Sequence, residues 1–181
     1  MDLWESIFLG GILGLVVGSF VNLALERLPL MWGRAANQQC RQDENLGERL
    51  CQHLREGTLS LAHPARSFCF SCGHQLRWWE NIPVFSFLCQ HGRCRKCGQG
   101  YGTRTLVVEA GHGGVYALLW GVIPELAWAL WISFSFSFWI SLGYLTASGV
   151  LPPVGKRPIL AMLALIHLGA GVLLHIRWQN F

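Results

Sequence analysis

Charge is what this chain has least of. Only 13% of its 181 residues are Asp, Glu, Lys or Arg, against roughly 25% in an ordinary soluble domain. From Leu126 to Gly155 there is none. Aspartate is scarcer still, with Asp2 and Asp43 the whole supply. No base precedes the first apolar run: Met1–Ser6 carries Asp2 and Glu5, the reverse of a secretory signal, so that run is expected to be a retained helix. No Gly-x-Gly-x-x-Gly fingerprint for a nucleotide-type cofactor occurs. These absences exclude a simple soluble globule, a disordered chain and a secreted disulfide scaffold.

What is abundant points to a membrane. Residues are 52% hydrophobic, with nine Trp and ten Phe. A spanning helix needs about 20 apolar residues at about 1.5 Å each. Ile7–Leu25 supplies one, ending in Glu26-Arg27-Leu28-Pro29; Leu106–Ile123 a second, despite Glu109 and His112; the run after Leu126, ending near Tyr144 or Leu145, a third; and Pro158–Ile176 a fourth, containing His167. The expected fold is all-α and polytopic: residues 1–28 a first transmembrane helix, 29–104 a cytoplasmic loop, 105–181 three further spans. Lys and Arg stay on the cytoplasmic side. Ten of the fourteen lie between Arg34 and Arg104, and Lys156-Arg157 falls on the same side, so the N-terminus is expected outside.

The loop carries five of the seven cysteines between Cys69 and Cys97. Cys69-x-x-Cys72 and Cys94-x-x-Cys97 are separated by 21 residues, and each knuckle is followed by a glycine, Gly73 or Gly98. Two such knuckles close a tetrahedral Cys₄ site suited to structural zinc. Arg93, Arg95 and Lys96 are expected to favour the thiolates. A redox pair and simple packing are the alternatives. Cys40, Cys51 and Cys89 fall outside the pattern and read as ordinary small residues, and His53, His63, His74 and His91 as spare ligands. Leu46, Leu50, Cys51 and Leu54 recur at helical spacing and predict a short amphipathic helix against the membrane or the cysteine module. Gly10, Gly14 and Gly18 form small-xxx-small pairs that let helices approach. Glu109 and His112 are expected to pair across one turn. His167 carries no assigned role. Trp4, Trp32, Trp78, Trp79 and Trp178 fall where an aromatic belt would lie.

Four stretches together resemble the prepilin peptidase family, the inner-membrane leader peptidases and N-methyltransferases of type IV pilus and type II secretion systems. They are Gly18-Ser-Phe-Val-Asn-Leu-Ala-Leu-Glu-Arg-Leu-Pro29; Cys69-x-x-Cys72-Gly-His; Glu80-Asn-Ile-Pro-Val-Phe-Ser-Phe87 with Gly92-Arg-Cys-Arg-Lys-Cys97; and Val107-Val-Glu109. The likeness runs from about Leu9 to Trp120 and reads as the family's amino-terminal part, divergent and truncated. It implies two membrane aspartates for leader cleavage, and neither is here. Leu145 stands at the first expected position, between Tyr144 and Thr146, with Pro153 where an acid would follow, and no Gly-x-Gly-Asp occurs. A dyad of Glu109 and Glu125 is not expected, because paired carboxyls must share one proton at close range.

The resemblance further implies methyl transfer from S-adenosylmethionine to a pilin amino terminus, with Gly18, Asn22, Arg27, Glu80, Asn81 and Glu109 involved. Glu80 then either holds or deprotonates an ammonium, or caps a turn that fastens the cysteine module. Implied partners are membrane lipids, a prepilin or pseudopilin, and a subunit or secretion machinery supplying the missing acids; nothing points to nucleic acid. A pseudoenzyme that binds prepilins is one competing reading, and an unrelated zinc-ribbon membrane assembly factor is another.

Overall fold

The computed structural model describes residues 2–32, 40, 47–149 and 157–179. Its helices are α1 (Leu3–Trp32), α2 (Glu48–Glu56), α3 (Phe85–Cys89), α4 (Thr103–Val122), α5 (Leu126–Ala147) and α6 (Arg157–Gln179), with a 3₁₀ turn at Trp78–Asn81. The described residues form no strand, only the bridges Phe68–Gln75 and Arg93–Gly100. Two helices, α1 and α5, are long and apolar enough to cross a membrane; Leu160–Leu173 within α6 is a shorter apolar stretch. Pro153 and Lys156, used in the sequence reading, lie outside the described residues, as do Asp43 and Leu46.

Local chemistry sets the helix ends. Gly102, at φ 76°, turns the chain into α4, and Pro124, which has no N–H to donate, separates α4 from α5. Gly57, at φ 65°, closes α2, with the Thr58 N–H on the His53 carbonyl at 3.0 Å. The first helix runs through Pro29 to Trp32. Proline there removes the bond to the Leu25 carbonyl and crowds it, at a cost of about 3 kcal/mol or more. Burial of the following turn offsets it: Leu28 and Trp32 pack on Val21, Leu25 and Leu145, while Leu30 and Met31 pack on Leu50, Leu59 and Phe68. Helix α1 therefore joins the membrane core to the core of the loop.

The main tertiary contact is α1 along α4, and the glycines make it. A Cβ on Gly10 would lie 2.7 Å from Cγ of Trp120; on Gly14, 2.8 Å from the His112 carbonyl carbon; on Gly18, 3.0 Å from Cα of Glu109. Above this seam Asn22 Nδ2 donates to Thr105 Oγ1 at 3.2 Å. One turn further, the Arg104 guanidinium bridges Glu26 at 2.9 Å and the Tyr144 hydroxyl at 3.2 Å, tying α1, α4 and α5 together. Between α4 and α5, Tyr116 meets Ser137 at 2.7 Å and the Trp120 indole donates to Ser133 at 3.3 Å. His167 stacks on Trp131, with Nε2 2.6 Å from Ser135 Oγ, joining α6 to α5.

Two expectations fail. Glu109 and His112 do not pair: His112 Nδ1 donates to the Val108 carbonyl at 2.7 Å, and Glu109 is engaged elsewhere. Cys40 and Cys51 are not separate small residues but a disulfide. The predicted amphipathic helix forms as α2, with Leu50 and Cys51 buried.

The seam predicts a graded response. Gly14→Leu drives a side chain into backbone and should lower stability by about 1–3 kcal/mol or more. Gly11→Ala, whose Cβ would sit 3.6 Å from Ala117 Cβ, should change little. Thermal unfolding of both variants in detergent checks the contrast.

Candidate functional site

Two structures lie side by side: a cysteine cluster and a pocket with both polar and apolar walls. The knuckles repeat one hairpin. The Cys69 N–H donates to the His74 carbonyl at 2.9 Å and the Gly73 N–H returns to the Cys69 carbonyl at 2.9 Å; in the second, Cys94 N–H to Gln99 is 2.7 Å and Gly98 N–H to Cys94 is 2.8 Å. Gly73 (φ 68°) and Gly98 (φ 73°) take the left-handed conformation that closes each turn. This presents backbone N–H groups to the sulfurs.

The four Sγ atoms lie within 4.8 Å of one another. The short approaches, 3.8 Å for Cys69–Cys97 and 3.8 Å for Cys72–Cys94, run between knuckles rather than within a Cys-x-x-Cys pair. Sulfurs at about 2.3 Å from a tetrahedral ion stand about 3.8 Å apart. The arrangement therefore fits a metal better than a redox dithiol. Burial pushes the Cys69 thiol up to about 12. Burial also raises Cys94, but the N–H groups of Cys97 and Lys96 and the Tyr101 hydroxyl outweigh it and hold that thiol at about 6. Donors to Cys94 include backbone groups and the Tyr101 hydroxyl. Cys89 is exposed and outside the cluster. Arg49 braces the first knuckle from α2, donating to the Gly73 carbonyl at 3.0 Å.

Beside the cluster, at one end of the α1–α4 seam, is a pocket of about 410 Å³. Asn22, Arg27, Glu80, Asn81 and Glu109 all line it. Gly18 is not in the wall, but its missing Cβ sets how close α4 comes. Glu80 is buried; its Oε2 accepts the Arg77 N–H at 2.8 Å and lies 3.4 Å from His74 Nε2. Glu109 Oε2 accepts the Val84 N–H at 2.7 Å. Arg27 is buried and committed to the loop, donating to the carbonyls of Ser60 at 2.7 Å and Pro64 at 3.1 Å. Asn22 Oδ1 and Glu80 Oε1 are buried acceptors without a partner. A buried acceptor left unpaired costs about 1–3 kcal/mol, and the carboxylates of Glu26, Glu80 and Glu109 in the pocket lining suit a cationic ligand.

Leu145 sits apart from this site, buried against Val21 and Leu25. Sequence reasoning missed Thr105, Val84, Tyr101 and the Glu26–Arg104 pair. Tyr101 had a readable signal, lying three residues beyond the last knuckle glycine. Val84 had none, because its contribution is a main-chain N–H.

A family model described as the bacterial peptidase A24 N-terminal domain matches residues 12–123. A prepilin leader peptidase/N-methyltransferase of Pseudomonas putida is 43% identical over 105 residues, covering 58% of this chain and 34% of that protein. One from Burkholderia pseudomallei (strain 1026b) is 41% identical over 106 residues, covering 59% and 33%. One from Neisseria gonorrhoeae is 29% identical over 168 residues, covering 90% and 56%. The chain thus spans about a third of the length of the first two relatives. No solved structure matches it.

The cluster predicts a specific titration. Cobalt(II) added to the reduced chain should give a thiolate charge-transfer absorption at one ion per molecule, lost in Cys94→Ser. Because binding displaces thiol protons, affinity should fall as pH drops. Absorption titrations at several pH values measure both effects.

Proposed function

From its place in the prepilin peptidase family, as a bacterial A24 N-terminal domain, we propose that this chain handles type IV prepilins or pseudopilins at the inner membrane, modifying their amino terminus rather than cutting their leader. The observation that carries this reading is the set of carboxylates in the pocket lining, Glu26, Glu80 and Glu109, beside Asn22 and Asn81. An ammonium group is the ligand such a wall suits. In this reading α1, α4, α5 and α6 all span the bilayer, and the excess of Lys and Arg between Arg34 and Arg104 keeps the loop cytoplasmic. Residues 1–28, 29–104 and 105–181 then divide into first span, loop module and remaining spans. Zinc is the ion proposed for Cys69, Cys72, Cys94 and Cys97, in a closed structural role.

The pocket volume falls within the range of about 300–1,000 Å³ typical of small-molecule sites. Asn22 and Asn81 would hold polar edges of S-adenosylmethionine, and Phe87 and Tyr101 its flat ring. When bound, that cofactor supplies an electrophilic methyl group. The rest falls to the chain. An ammonium must lose a proton before its nitrogen can form the new bond to carbon, and the Glu80 carboxylate is the base this reading assigns to take it. Glu109, already anchored by Val84, fixes the opposite wall. Gly18 and Arg27 act in this proposal as positioning residues.

Leader cleavage would need two close carboxyls. At the place where the family resemblance puts one of them, Leu145 is packed in a hydrophobic cluster. The cutting acids would therefore come from elsewhere, such as a partner subunit. A second reading, a pseudoenzyme that binds prepilins or scaffolds the assembly, is favoured by one observation: Glu80 already accepts from Arg77 and faces His74, as a purely structural carboxylate would. The family match leaves no room for an unrelated assembly factor.

Purified chain, a pilin peptide with a free amino terminus and labelled S-adenosylmethionine test the proposal. Label should reach the amine, and Glu80→Gln should slow transfer by about 100-fold or more while metal content holds. Tight peptide binding without label would favour the pseudoenzyme. Removal of a leader by the chain alone would overturn both readings.

A further inference from the structure

The segment from Trp78 to Cys89 has a position that its sequence does not declare. Glu109 Cα lies against Gly18, as the 3.0 Å approach to that glycine's absent Cβ shows. Gly18 is inside the uncharged run Ile7–Leu25, and from Gly18 to Leu25 the helix rises about 10 Å. The Glu109 side chain holds the Val84 N–H at 2.7 Å. The Pro83–Val84 turn is therefore drawn down beside the apolar stretch of α1. Val84 takes φ 60° and ψ −49°, a γ-turn closed by the Phe85 N–H on the Pro83 carbonyl at 2.6 Å and strained for a β-branched residue, and the bond to Glu109 secures it there.

The segment is also two-sided. Pro83, Ser86 and Phe87 face the pocket. Phe85 and Leu88, three residues apart and so on one face of α3, point outward at 55% and 60% exposure, with Trp78 at 72%. Trp79 stands perpendicular to Trp78, and the Arg77 guanidinium lies 5.2 Å from the Trp79 ring. Amphipathic rings with an adjacent cation suit the headgroup boundary, and apolar side chains just below it suit the upper acyl chains.

We propose that Trp78–Cys89 is a re-entrant strap whose outer face, Trp78, Phe85 and Leu88, is seated in the lipid leaflet. Its inner face walls the pocket, so the bilayer closes the site from outside. The proposal rests on α1 crossing the membrane.

The test uses the full, metal-loaded chain in vesicles of phosphatidylcholine and phosphatidylglycerol. In a Cys89→Ser background, nitroxides are placed at Leu88→Cys and, as a control on the exposed face of α1, at Ile12→Cys. Both labels should relax several-fold more with oxygen, which dissolves in lipid, than with a water-soluble nickel chelate. If Ile12 reports lipid while Leu88 reports water, the strap is overturned and the membrane reading stands. If both report water, the membrane reading itself fails. A Leu88 label shielded from both reagents would mean a protein partner covers the face, which also overturns the proposal. Brominated lipids give a measurement without added cysteines: bromines near the headgroup should quench a tryptophan component that disappears in Trp78→Phe, and unchanged quenching would count against the strap.

Discussion

The polar contacts between the first helix and its neighbours are arranged by how closely α1 and α4 approach. Three glycines at four-residue spacing remove the side chains that would otherwise hold the helices apart, and the backbones meet at van der Waals distance. That approach puts Asn22 opposite Thr105 and Glu26 opposite Arg104, and it sets Glu109 beside Gly18. In a low-dielectric setting such groups are costly alone and tolerable in company. The seam supplies company for most of them and leaves Asn22 Oδ1 and His112 Nε2 buried without a partner among the described residues.

The loop is not a separate body hung from the helices. It returns to them at several points: Arg27 clasps the Ser60 and Pro64 carbonyls, Glu109 takes the Val84 N–H, and the last turn of α1 packs on Leu50, Leu59 and Phe68. The first knuckle is linked to the pocket through His74, whose carbonyl receives the Cys69 N–H and whose ring faces Glu80 at 3.4 Å. A metal held by the cysteines would thus hold the carboxylate that walls the pocket. Such an ion would fix the loop's fold alongside its small apolar cluster of Leu50, Leu59 and Phe68.

Much of this was legible. The uncharged runs foretold the long helices, because period and length leave few alternatives for an apolar segment of that size. The two Cys-x-x-Cys knuckles foretold the sulfur cluster, since four thiols at that spacing have few other uses. The resemblance named five of the residues that line one pocket. Other features were hidden. Pro29 inside α1 is carried by packing on two hydrophobic clusters, a tertiary effect that overrides local propensity. The Cys40–Cys51 bond depends on α2 bringing Cys51 to its partner, which spacing alone cannot reveal. Glu109 looked ready to pair with His112 one turn away, yet each found a backbone partner instead.

The sequence by itself determined the solvent preference of each segment, the four thiols and the family, because hydropathy, ligand type and motif are carried by residue identity. Which acceptors are satisfied, which remain open and where the Pro83–Val84 turn lies were decided only by tertiary structure. These outcomes depend on main-chain groups such as the N–H of Val84 and the carbonyls of Ser60 and Pro64. Every residue but proline owns the same donor and every residue the same acceptor, so only the fold can say which of them meets a given side chain.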